Sequence, residues 1–302
     1  MASYEQQAQA AYDEDPYGYG LQGPSLALNA SFIALFAISL IAHVAQLSIS
    51  RRFWWMSVMV VGGVLEVMGW SARVYSHFHL ASDGYIAQIC VLVIAPTFYS
   101  AALYWAGGLI IGLVAPQKSS RFLSPKWFKI TFITADVVAL VIQGIGGGMA
   151  GSAEGPGTQL DNGTHIMLTG IIVQLVVMIF FSFYMLGWSW LSRAEIRKSG
   201  MRMQLMLGAI AVASAAIIVR GGFRTAELNE GFRGPLAEDE NMIILDAAPV
   251  LVCTLVLNFI HPHWFLRLSP SSPAFNVSRE SHDSQVTMAV RPTEKGQAKE
   301  AV

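Results

Sequence analysis

The chain has 302 residues, 54% of them hydrophobic and only 13% charged, and a formal net charge of −1. Soluble domains carry about a quarter charged residues, so the composition excludes an ordinary water-soluble fold. The near-neutral balance leaves no electrostatic footprint for nucleic acid, and none is expected as a partner.

Residues 1–25 are polar and acidic, with no basic region and no apolar core. They predict an extracellular tail rather than a cleavable signal peptide. A membrane-crossing helix needs about 20 mostly apolar residues. Seven stretches meet that need: 26–48, 55–77, 85–114, 127–150, 164–191, 205–228 and 241–260. The expected fold class is all-α, a polytopic membrane protein with seven transmembrane helices in a domain spanning 26–262. Residues 263–302 are Ser/Pro-rich with scattered charge, which predicts a disordered cytosolic tail. No internal repeat supports an inverted-repeat transporter.

Lys and Arg in short loops set orientation. The N-terminal tail has none. Arg51 and Arg52 follow the first span, and none follow the second. Lys118, Arg121 and Lys126 follow the third, and none follow the fourth. Arg193, Arg197, Lys198 and Arg202 follow the fifth. Only Arg233, against Glu230, Glu238, Asp239 and Glu240, follows the sixth. The alternation predicts the N-terminus outside and the C-terminus in the cytosol, and an even number of spans would break it.

Ionisable groups at bilayer depth cost about 2.5–3.5 kcal/mol each on insertion scales and normally face a bundle interior. The second span carries Glu66 and Arg73, seven apart and so on one face. The fourth carries Asp136 and Gln143 at the same spacing. The sixth carries Arg220, Arg224 and Glu227 as one stripe, and the seventh carries Asp246. Gln88 and Gln174 add neutral groups. With the predicted orientation these residues converge on an outward-facing cluster, with Asp136 below it. Two readings stand together: an ion-pair network that fixes register, and a cavity or route for an amphipathic molecule.

Pro96 and Pro249 are expected to kink their helices and free a carbonyl. Gly144, Gly146, Gly147 and Gly148 allow close helix approach; no Lys-Ser/Thr follows them, so they are not a phosphate loop. Trp54, Trp55, Tyr85, Trp127 and Trp264 fall at predicted boundaries, as an interfacial belt requires. Cys90 and Cys253 lie in apolar runs and read as small buried residues. The histidines show no HExxH spacing and no GxSxG occurs, so neither metal nor any other cofactor is expected. The sequon at Asn162 is a candidate glycosylation site on the outer side.

These residues resemble the fungal RTA-like proteins, also called the lipid-translocating exporter family, from about residue 29 to residue 262. The pieces are Glu66, Gly69, Trp70 and Arg73; Gln88 with Ala95, Pro96 and Tyr104; Asp136 with Gln143 and Gly144; and Gly170 with Gln174. The most specific block is Arg220, Phe223, Arg224 and Glu227, followed by Gly231, Gly234, Glu240 and Asp246 and closed by His261 and Pro262. His263 stands where the family often has Gly, and Ile243 and Ile244 lie where Tyr is common. The resemblance implies fungal origin, a seven-helix plasma-membrane or endomembrane protein, and lipids or amphiphilic small molecules as partners. It implies export or translocation of sphingoid bases, sterol-like toxic compounds or metabolites, conferring resistance, and no enzymatic role. An alternative reading is a seven-helix sensor or receptor, although no DRY-like or NPxxY motif is present. A third is a membrane-embedded lipid hydrolase.

Overall fold

A computed structural model describes residues 25–78, 82–115, 124–153, 157–230 and 239–266. The two polar tails and the charges at Lys118, Arg121, Arg233 and Glu238 lie outside the described residues. Seven helices are long and apolar enough to cross a membrane, and no strand occurs among the described residues.

The helices are α1 (Leu26–Ile49), α2 (Ser57–Phe78), α3 (Ser82–Val114), α4 (Pro125–Gly151), α5 (Thr158–Leu191), α6 (Met201–Glu230) and α7 (Ala248–Phe259), the last completing its span with the turns on either side, Ile243–Phe265. The backbone N–H and C=O groups within each helix bond internally, which is the condition for crossing hydrocarbon. Large apolar side chains such as Ile38, Val141 and Phe180 are exposed on the outside, where lipid would cover them. α3 is central: besides α2 and α4 it touches α5, α6 and α7, and α7 closes the ring onto α1. A polar staple makes that closure. Gln46 Nε2 donates to the Asn258 carbonyl at 2.8 Å, and Asn258 Nδ2 donates to Ser39 Oγ at 2.7 Å.

Three local features differ from the simple hydropathy reading. α5 starts at Thr158, so Asn162 sits exposed on a helix rather than in a loop. A 3₁₀ turn at Arg51–Met56 folds Trp55 inward, where it stacks on Trp105 at 6.1 Å and is 6% exposed. Trp55 is therefore core and not belt, whereas Trp127 and Trp264 stay exposed. Cys90 is only half-buried, while Cys253 is fully inside.

α7 is entered through a short helical turn (Asp239–Met242) and a π-helical turn, Ile243–Ala247. Pro249 has no N–H to offer the carbonyl four residues back, at Leu245. The widened turn sits where that helical hydrogen bond is missing, and Asp246 projects from it. Single π turns of this kind are frequent at functional positions.

Candidate functional site

The polar side chains form three layers along the bundle. The first lies where α2, α6 and α7 face α3. Arg224 uses its whole fork: Nε donates to Asp246 Oδ1 at 3.0 Å, Nη2 to Asp246 Oδ2 at 2.5 Å, and Nη1 to Glu227 Oε2 at 2.9 Å. Arg220 Nε lies 2.9 Å from Asp246 Oδ1 as an ion pair without hydrogen-bond alignment. Its Nη2 donates to the Leu92 carbonyl at 2.5 Å. That carbonyl is the one Pro96 leaves without a helical donor, four residues on. A proline in α3 thus prepares an acceptor, and an arginine from α6 fills it.

Glu66 is 2% exposed and sits close enough to Arg220, Asp246 and Arg224 to feel their charges. One of its oxygens accepts from Trp70 Nε1 at 3.2 Å, and the other has no partner among the described residues. Arg73 is buried and acts on the charges of Glu227 and Asp246. Three arginines (73, 220, 224) therefore face three acids (66, 227, 246), and the layer is formally neutral. Neutrality and shared hydrogen bonds are what a low-dielectric interior demands of buried charges. Gly62 and Gly69 flank Glu66 on the same face of α2. A Cβ at Gly62 would come 2.6 Å from the Tyr99 ring, and one at Gly69 would strike Leu92. These glycines let α3 come close enough to cover the carboxyl. Gln88 is buried on α3, one turn before Leu92 and on the same face.

The second layer is made of amides. Gln143 Nε2 on α4 donates to Gln174 Oε1 on α5 at 3.1 Å, and Gln174 Nε2 donates to Thr97 Oγ1 on α3 at 2.9 Å. Gln174→Leu strands Gln143 and Thr97, both buried. It is expected to cost about 1–3 kcal/mol, the penalty of an unsatisfied buried polar group, as a lowered midpoint in detergent unfolding.

The third layer holds Asp136, 1% exposed and close to the Tyr104 hydroxyl. Neither carboxyl oxygen has an aligned hydrogen-bond partner. Asp136 lies seven residues from Gln143, or about 10 Å along α4, and the structure does not join it to the arginines. Sequence reasoning passed over Thr97 and Tyr99. It named Trp70 and Tyr104 without giving them a role. Among the described residues no His, Cys, Asp and Glu group is placed to hold a metal.

With this geometry in hand, similarity to known proteins is informative. Residues 59–269 match the family described as RTA1 like protein. The sphingoid long-chain base transporter RSB1 of Saccharomyces cerevisiae is 30% identical over 281 residues, covering 81% of this chain and 73% of the relative. The probable lipid transporter atnI of Emericella nidulans is 26% identical over 271 residues, covering 85% and 70% respectively. Protein RTM1 of S. cerevisiae is 26% identical over 234 residues, covering 74% and 72%. No solved structure matches the chain.

Proposed function

The chain belongs to the RTA1-like protein family, and we propose that it moves lipids or amphiphilic compounds across the membrane, exporting them and so conferring resistance. It does so without chemically transforming them. Two relatives named as lipid transporters support this reading. The observation that carries it is the uneven satisfaction of the buried acids. Among the described residues, Asp246 and Glu227 are clamped by Arg224, whereas one oxygen of Glu66 has no partner. An unpartnered buried carboxyl is costly unless something occupies it in the working cycle. A long-chain base brings an ammonium and supplies the donor that this Glu66 oxygen lacks. On entry the ammonium takes Glu66, and Arg220 stays held by Asp246 and the Leu92 carbonyl. The clamp and the Leu92 bond thus keep α6 on α7 and α3 while α2 adjusts.

The loop charges support an orientation with the N-terminus outside, which places the Glu66 layer in the outer half. The family resemblance supports the plasma membrane or an endomembrane as its place. The test is Glu66→Gln. The carboxamide still accepts from Trp70 and leaves the Arg224 clamp intact, but the layer then holds three cations against two acids, so export is normalised to the amount of folded protein at the surface. Export of a labelled long-chain base should fall about tenfold, the equivalent of 1.4 kcal/mol of lost contact. Unchanged export at normal surface level would reject the role given to Glu66.

A further inference from the structure

A groove of about 800 Å³ lies between α5 and α6, at the end where the short helix Arg193–Lys198 joins them. Ligand sites for lipid-sized molecules fall in this range. Its α6 wall includes a row of small residues, Gly208, Ala211 and Ser214, about one helical turn apart, beside Leu207, Ile210 and Ile218. Its α5 wall includes Phe183 and Leu186, 69% and 60% exposed, so the groove opens sideways toward the bilayer. From Gln204 to Ile218 it runs 14 residues of α6, about 21 Å, or more than half of a ~30 Å hydrocarbon core. This is the length of an acyl chain.

The two ends differ in chemistry. Arg193, Arg197 and Gln204 line one end, and among the described residues no acid lines the groove, Glu195 of the same short helix not being part of its wall. Arg193 is steadied over the Trp190 ring at 5.1 Å. The other end is apolar, lined by Ile179, Ala215 and Ile218.

We propose that this groove binds an anionic membrane phospholipid, with its phosphate between Arg193 and Arg197 and one acyl chain along α6. Two cations and no acid in the described lining repel an ammonium, so the site does not suit a long-chain base. The inference goes beyond the transport reading and does not depend on it.

The full-length protein is purified, stripped of lipid, and offered phosphatidylserine, phosphatidylcholine or sphinganine before native mass spectrometry. The wild type should retain phosphatidylserine in preference to the other two. Arg193→Gln with Arg197→Gln should lower that retention about tenfold, because charge-assisted bonds to phosphate are lost. Gly208→Phe fills the wall, where a Cβ meets nothing within 4 Å, and should abolish retention; Ala211→Phe serves where Gly208→Phe does not fold. Equal retention by the double-glutamine protein, preference for sphinganine, or retention that survives the filled wall would each overturn the proposal. Export activity plays no part in this readout, so its outcome is separate from that of Glu66→Gln.

Discussion

Arg224→Ala is expected to lower stability by about 3–5 kcal/mol, enough to deplete folded protein from the membrane. Arg224 is 1% exposed and is the shared partner of two acids on two helices. Removing it leaves Asp246 and Glu227 to Arg220 and Arg73, which cannot replace a three-bond fork. The large term is the uncompensated buried charge that remains, not the lost bonds themselves. Arg224→Lys should fall between, because an ammonium keeps the charge but cannot match the carboxylate in bidentate fashion. Arg224→Met combined with Asp246→Leu removes a cation and an anion together and should recover part of the loss. Detergent unfolding of the four proteins measures this. Wild-type stability for Arg224→Ala would show that the clamp does not hold α6 to α7. A double variant as unstable as the single would show that packing, and not stranded charge, sets the cost.

Much of this site was legible in the sequence because helical periodicity is a strong constraint on charge. Glu66 and Arg73, and Arg220, Arg224 and Glu227, share faces by spacing alone. A membrane helix has no cheap place for them except against partners of opposite sign. The seven helices were legible for the same reason, since hydropathy measures what lipid tolerates. Partner choice was less accessible. Asp136 is grouped by spacing with Gln143, yet it faces Tyr104 on α3 while Gln143 bonds Gln174 on α5. Which neighbour a face meets is a matter of packing. The Leu92 carbonyl is backbone and has no sequence identity, although Pro96 four residues on was a usable signal. Thr97 and Tyr99 sit in an apolar run, where a hydroxyl barely alters hydropathy. The start of α5 escaped because 158–163 is polar, and a helix that protrudes from the bilayer carries no hydropathy signal there. The groove between α5 and α6 left a trace in the small residues of α6. Small residues equally mark tight packing, and only the tertiary arrangement shows that α5 leaves them uncovered.

Small residues do the opposite work between α4 and α5, and substitution there separates the two cases. A Cβ at Gly146 would sit 2.6 Å from the Gly163 carbonyl oxygen and would also strike the Met167 backbone nitrogen. One at Gly170 would sit 2.8 Å from the Ala139 carbonyl oxygen. Backbone cannot rotate away as a flexible side chain can, so the helices must part. Gly146→Ala is therefore expected to cost roughly 1–3 kcal/mol, as overpacking does. The parting also works against the 3.1 Å bond from Gln143 to Gln174 one turn away. Gly144 and Gly148 lie on the same helix with nothing within 4 Å of an added Cβ. Alanine there should leave stability unchanged or raise it by up to about 1 kcal/mol through helix propensity. Because all three changes add the same methyl group to one helix, the difference between them isolates the contact. Equal stability for Gly146→Ala and Gly144→Ala in detergent unfolding would mean that α4 and α5 do not meet backbone to backbone. The amide layer would then have to be held in register by something other than that seam.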